Sequence, residues 1–201
     1  MRVRVGLLAA VAAMALAGAG SSRAEDGSQF VIRGDATKTI LEQNEINVAT
    51  AEAVGKACID EAVKQGVKVS VAIYDQFGEI VYLYRMDGQP KIAVETAMMK
   101  ARTVLNTLRP SKATMNEVLS GRSSEIRQTS RGNFPQAGGL PILVNGNQLI
   151  GVIGVGGSAG NPPVWSDEIC AWRALTKVIG PQPPLLPDAP REAGGGRAPN
   201  R

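Results

Sequence analysis

The sequence predicts an α+β fold, a mainly antiparallel sheet covered by helices. Three observations predict it. Two apolar runs, VKVSVAIYD and EIVYLYRM, meet at the turn around Asp75-Gln76-Phe77-Gly78. A second pair, PILV and QLIGVIGV, flanks Asn145-Gly146, a strong signal for a two-residue hairpin turn. Helical periodicity falls before, between and after these hairpins. Tight turns between neighbouring strands make the sheet antiparallel, and the helices have to cover it.

The first helix is predicted over about 45–66, with Ile46, Ala49, Ala53, Ala57 and Ala62-Val63 at helical spacing and Gly66 as a C-terminal cap. In the strand 67–75, Val67, Val69, Val71 and Ile73 alternate with Lys68, Ser70, Ala72 and Tyr74. That pattern predicts one face toward a core. The return strand 79–86 carries apolar residues on both sides, which predicts a well-covered strand. A long helix follows over 91–108, with Ile92, Thr96, Met99 and Thr103 in one line, and Arg109-Pro110 ends it. A short helix is expected over 111–119 with Ser111 as its N-cap. Residues 121–137, with Arg122, Arg127 and Arg131, predict a long loop near an opening, and long loops in compact domains are often functional. The last helix is predicted over 166–179, capped by Ser166, with Asp167 and Glu168 in the positive first turn and Lys177 in the last.

The second hairpin lies in a stretch, 138–157, that holds seven glycines in twenty residues. A dinucleotide loop would join a strand to a helix start, and a Walker loop would need Gly-Lys-Ser/Thr. Here the glycines lie inside and at the end of an antiparallel strand. They clear space for a ligand, a bulge or another backbone.

The two ends differ from the middle. The start MRVRVGLLAAVAAMALAGAGSSRA has a basic beginning, 16 mostly apolar residues from Val5 to Gly20, and small residues at Ser22 and Ala24. It reads as a secretory signal peptide over 1–24, too short for a spanning helix of roughly 20 residues. Residues 25–180 form one domain, and 181–201 read as a disordered Pro/Gly-rich tail. The expected location is periplasmic or secreted, with no membrane span after cleavage. The formal charge of +4 belongs to these ends, which leaves the domain near neutral. A neutral domain argues against nucleic acid as a partner. The chain has no histidine, so His-based triads and the commonest metal ligand are absent. Its two cysteines, Cys58 and Cys170, make no C-x-x-C motif, which excludes a zinc site of the usual kind. They either form one disulfide in an exported protein or pack as two small apolar thiols.

The run VKVSVAIYDQFGEIVYLYRMDG, the helix with Lys100-Ala101-Arg102-Thr103, the glycine-rich hairpin and the helix opening Ser166-Asp167-Glu168 resemble the GlcG/HbpS family, which is similar to the C-terminal domain of PduO proteins. The markers are Arg85-Met86-Asp87-Gly88, Lys100-x-x-Thr103, Gly138-Gly139-x-Pro141 and Gly151-x-x-Gly154-Val155, and the resemblance covers about 42–179. It implies a profilin-like sandwich with a five-stranded antiparallel sheet, helices on both faces, and assembly into dimers or larger rings. It also implies an exported haem-binding accessory protein for haem sensing, handling or redox protection.

The haem-binding residues implied by the resemblance are Lys100, Thr103, Arg85, Met99, Gly139 and Pro141. Thr103 is the candidate oxygen ligand to iron. Lys100, Arg85 and Arg109 are candidate partners of the propionates, since carboxylates favour cationic donors. The plainer readings are an ion pair of Arg85 with Asp87 or Asp75, and a Thr103 hydroxyl bonded to its own helix backbone. Without histidine, Met86, Met98, Met99, Tyr82 and Tyr84 are the further donors available to haem iron. Glu42 and Glu45 form an E-x-x-E pair that could hold a hard cation on its carboxylate oxygens, which the resemblance implies to be iron, or could simply open a solvated helix. Two other functions compete. One is an enzyme or binding protein for a small organic acid or phenolic ligand, with Arg85 and Lys100 on its carboxylate and Lys100 as a base. The other is a ligand-free oligomeric assembly module, packed through the small residues of the first helix.

Overall fold

A computed structural model describes residues 45–158 and 165–189. Nine elements follow in order: α1 (Val48–Lys64), β1 (Ser70–Asp75), β2 (Ile80–Arg85), α2 (Lys91–Thr107), α3 (Ser111–Leu119), α4 (Glu125–Ser130), β3 (Gly139–Val144), β4 (Gln148–Gly156) and α5 (Asp167–Val178). The strands form one antiparallel sheet in the order β2-β1-β4-β3. Helices α1 and α5 cover one face, where Val54, Cys58, Ala171 and Leu175 pack on Val71, Ile73 and Ile153. Helix α2 covers the other, placing Ala97, Ala101 and Val104 on Ala72, Tyr74 and Val152. The predicted α+β architecture is therefore present, with helices on both faces.

The sheet has four strands among the described residues, not the five that the resemblance implies. Beside the edge strand β3, the carboxamide of Gln182 accepts from the Leu143 N–H (3.3 Å) and donates to the Leu143 carbonyl (2.9 Å), doing locally what a further strand would do. Strand β1 is buried on both sides from Ser70 to Tyr74, because α2 lies on the face that alternation assigns to solvent. Strand β2 is the opposite correction. It is an edge strand with Ile80, Leu83 and Tyr84 between 43% and 48% exposed, so its two-sided apolar character does not reflect cover.

The in-strand glycines explain how α2 sits. A Cβ on Gly154 would strike the Ala97 carbonyl, and one on Gly156 would meet the Ala93 carbonyl and Thr96. Another backbone, that of α2, occupies the space these glycines leave. The helix consequently buries Ala93, Ala97, Lys100, Ala101, Thr103 and Val104, while Ile92, in line with Thr96, Met99 and Thr103, is 56% exposed. The turn between β3 and β4 keeps left-handed residues at Asn145 (φ 51°) and Gly146 (φ 88°), but Val144 pairs with Gln148, so the loop holds three residues rather than the two that Asn-Gly predicts.

Four local expectations change. Within the stretch read as a loop, Ser124 caps α4 by accepting from the Arg127 N–H (3.2 Å). Ser111 is the first helical residue of α3 rather than its cap. Its hydroxyl instead donates to the Gln136 carbonyl (2.6 Å) and accepts from the Gly139 N–H (2.9 Å). Residues 181–189, assigned by composition to a disordered tail, run extended along the domain and are hydrogen-bonded to it through Leu143, Trp172 and Asn116. In α1, Ala49 and Ala53 are exposed while Ala57 is buried. The final helix keeps its predicted cap, with Ser166 accepting from the Ile169 N–H (3.1 Å). The proposed signal peptide and residues 190–201 lie outside the described residues.

Of the two readings for the cysteines, the structure has the disulfide. Cys58 and Cys170 are bonded across 112 positions and join α1 to α5. Closing so long a loop restricts the unfolded chain, by about 4 to 5 kcal/mol in the chain-entropy account. The double variant Cys58→Ser/Cys170→Ser is expected to lose stability on that order, read as an earlier urea midpoint. Gly154→Val is expected to cost about 1–3 kcal/mol or more, since a branched side chain must push α2 off the sheet; an unchanged midpoint would contradict the close contact.

Candidate functional site

The middle of α2, the helix α3, the segment 134–137 and the start of α5 enclose a groove of roughly 560 Å³. This lies within the range of about 300–1,000 Å³ common for small-molecule sites. Met115 and Val118 of α3 line it together with Phe134 and Pro135, and the buried Lys100 and Asp167 also reach it. The amphipathic pattern of α3 turns Met115 and Val118 to the groove and Thr114 inward.

Lys100 reaches the groove because α2 runs close to the start of β3. A Cβ on Gly139 would strike the Lys100 carbonyl, so the paired glycines 138 and 139 let the strand begin against the helix. The Lys100 ammonium donates to Asp167 Oδ2 (2.7 Å) and to the Val155 carbonyl (3.0 Å). Asp167 Oδ1 accepts from the Ser158 N–H (3.2 Å) and hydroxyl (2.7 Å). Lys100 is 3% exposed and Asp167 8%. Such a pair persists in the interior because its remaining donors and acceptors are satisfied.

A second charged cluster lies beside the first. Lys112 Nζ is 2.7 Å from Asp188 Oδ1 and 3.5 Å from Glu168 Oε2. Glu168 is 3% exposed, and its Oε1 has no hydrogen-bond partner among the described residues. Burial pushes the Glu168 carboxyl above the ordinary glutamate range, against the pull of the Lys112 charge. Burial would lower Lys112, but its hydrogen bond to Asp188 and the charge of Glu168 outweigh that and raise it.

The sequence-derived residues divide around this site. Lys100 lines its base, and Gly139 packs against the Lys100 carbonyl without lining the groove itself. Thr103 is fully buried; its hydroxyl donates to the Met99 carbonyl (2.8 Å) and accepts from the Phe134 N–H (2.7 Å). It holds the groove wall in place by fixing Phe134. Met99 is half-buried and supplies that carbonyl. Pro141 lines a smaller cleft of roughly 210 Å³ beside Trp172 and Pro183. Arg85, at the end of the edge strand, donates to the Gln89 carbonyl (3.2 Å), and Arg109 pairs with Glu117 (2.6 Å). The Asp75 carboxylate accepts from the Phe77 and Glu79 N–H groups. Glu45 is exposed, Glu42 lies outside the described residues, and the described residues contain no acidic or cysteine cluster able to hold a metal ion.

Sequence reasoning missed Met115, Phe134, Lys112 and the burial of Asp167 and Glu168. Its only trace of the last two is the acidic pair after Ser166, which an exposed helix start explains equally well. The partner of Asp167 is 67 positions away.

Fold and groove together define an α+β domain, helices on both faces of its sheet, with a groove whose buried base is internally charge-paired. The chain belongs to the HbpS-like family: the description "Haem degrading protein HbpS-like" matches residues 46–176. It is 35% identical over 119 residues to protein GlcG of Escherichia coli K12, covering 59% of this chain and 83% of GlcG. Among solved structures it is similar to HbpS, at 26% identity and TM-score 0.60 over 75% of this chain and 99% of that one. It is also similar in fold to Klebsiella pneumoniae protein ORFY, at 22% identity and TM-score 0.62 over 76% and 100% of the chains. The PduOC:heme complex shares the fold at 21% identity and TM-score 0.58 over 66% and 94%.

Lys100→Met is expected to cost about 3–5 kcal/mol, because it leaves Asp167 as a buried unpaired charge. Adding Asp167→Asn should return part of that loss; strict additivity in a denaturation cycle would contradict the coupling. Glu168 makes a pH prediction. A raised native carboxyl contributes stability that is fully present below the ordinary glutamate range and is lost as pH rises through its native value. Glu168→Gln should therefore match the wild type at about pH 4 and exceed it at about pH 8 in chemical denaturation.

Proposed function

We propose that the chain is an exported haem-binding accessory protein that holds the macrocycle in the groove between α2, α3 and residues 134–137. The observation that carries the reading is the make-up of that groove: apolar walls with a thioether, Met115, among them. A chain without histidine needs such a donor, and methionine is an established iron ligand in haem proteins. Family membership and the similarity to HbpS support the same ligand. The groove residues fit the group: Val118, Leu119, Phe134 and Pro135 offer apolar contact, and Lys112, behind the lining residue Asp188, is a cation for an acid group.

Bound haem would bring redox chemistry to the site. The chain's own residues hold, orient and shield it. Phe134 closes one wall and is fixed by Thr103. Lys100 and Asp167 keep the base rigid. The Lys100 ammonium donates to both Asp167 and the Val155 carbonyl, so its role is support, which disfavours the reading as a base acting on a small acid. Export rests on the signal-peptide pattern. Homo-oligomer assembly rests on the exposed apolar edge formed by Ile80, Leu83 and Tyr84.

The test is a stepwise hemin titration of the mature chain starting at Glu25, followed at the Soret band. A saturable shift is expected, with Met115→Ala weakening it at least about tenfold, the size of one lost ligand contact near 1.4 kcal/mol, and changing the spectrum. Met99→Ala should leave it intact. A saturable band that bleaches with time would add haem degradation to binding. A featureless wild-type titration would end the haem reading.

A further inference from the structure

Residues 181–189 form a strap along the domain, and four of the nine are proline. Proline cannot donate a backbone hydrogen bond, so the strap is held mainly by side chains. Gln182 pairs with Leu143, the Trp172 indole N–H donates to the Pro183 carbonyl (2.9 Å), and Asn116 donates to the Pro187 carbonyl (2.9 Å) while accepting from the Ala189 N–H (3.2 Å). A segment with no ladder of its own and few buried contacts opens at low free-energy cost.

The end of the strap is part of the groove wall, through Asp188 and Ala189. Its carboxylate is on Lys112 (2.7 Å), whose side chain is 12% exposed against 78% for Asp188. Lys112 thus stands behind an acid that solvent reaches easily. The neighbouring cations differ. Lys100 is held by the buried Asp167, and Arg109 by Glu117 of α3, both on regular helices. Lys112 instead has an important partner on a separable segment, while Glu168 behind it stays with the core.

We propose that the strap is an internal competitor for the groove: the Asp188 carboxylate holds Lys112 until the carboxylate of a bound ligand takes its place. The exchange keeps an anion on Lys112 throughout. What it requires is release of the strap, and the apparent affinity of the ligand falls by the fraction of molecules with the strap closed. The identity of the ligand as haem, with propionates as the acid groups, rests on the preceding reading; the exchange at Lys112 requires only a carboxylate.

Hemin and its dimethyl ester, which lacks free carboxylates, are titrated into the wild type, Asp188→Asn, Lys112→Met and the double variant. Asp188→Asn is expected to tighten hemin by about two- to fivefold, the scale of one solvent-exposed ion pair. Lys112→Met should weaken hemin and abolish that gain in the double variant. The ester should bind Asp188→Asn and wild type alike. Saturable hemin binding with no gain in Asp188→Asn would overturn the competitor while leaving the haem reading standing. An equal gain for the ester would also overturn it, since the strap would then obstruct by bulk alone. The comparison of hemin with ester in Asp188→Asn decides the matter even where Lys112→Met does not fold. If hemin binds no variant, the haem reading falls and hydrogen exchange at the Ala189 amide, with glutarate as probe, decides the strap. Acceleration by glutarate in the wild type but not in Asp188→Asn supports displacement, and no acceleration refutes it.

Discussion

The contact between the glycines of β4 and the backbone of α2 governs the rest of the molecule. Gly154 lies under the Ala97 carbonyl and Gly156 under Ala93. Because no side chain intervenes, α2 packs at backbone distance from the sheet. That closeness buries both sides of β1 and drives Lys100 into the interior. A buried ammonium then requires acceptors, and the Val155 carbonyl and Asp167 provide them. The start of α5 is thereby fixed against α2. The groove is the space left on the outer side of this junction, where α3 and residues 134–137 cannot follow the sheet so closely.

Charge is handled locally throughout the site. Lys100 is matched by Asp167, and Lys112 by Glu168 and Asp188. A near-neutral domain therefore does not mean an uncharged site; its charges are consumed in pairs. In a low-dielectric setting such pairs are strongly directional, so they serve as struts that hold apolar surfaces apart. Thr103 works in the same way with neutral groups, joining Met99 to Phe134.

Both hairpins, the long helix and the capped last helix were legible, because alternation, Asn145-Gly146 and Ser166 are local signals. Strand β2 was misjudged because apolar residues on two sides describe a strand's composition and not its neighbours. Helix α4 is six residues long, too short for periodicity to register. The glycine-rich strand was read correctly as a place of close approach, yet only the structure shows that a helix backbone fills it. The site was legible in part. Of the residues that the resemblance pointed to, Lys100 lines the groove, while Thr103 and Gly139 touch its lining residues Phe134 and Lys100; their immediate partners come from distant segments. Composition marked residues 181–189 as loose because the groups that anchor them, Asn116, Lys112 and Trp172, belong to other elements.

The bond between Cys58 and Cys170 gives the chain a distinct topology. It turns everything from α1 to α5 into a covalent ring that contains both hairpins and most of the groove wall. The strap leaves just after the ring closes, like a cord tied beyond the knot. Pulling that cord away removes one wall of the groove but leaves every link of the ring intact. The base of the groove thus lies inside the covalent ring, and the strap at its rim lies outside it.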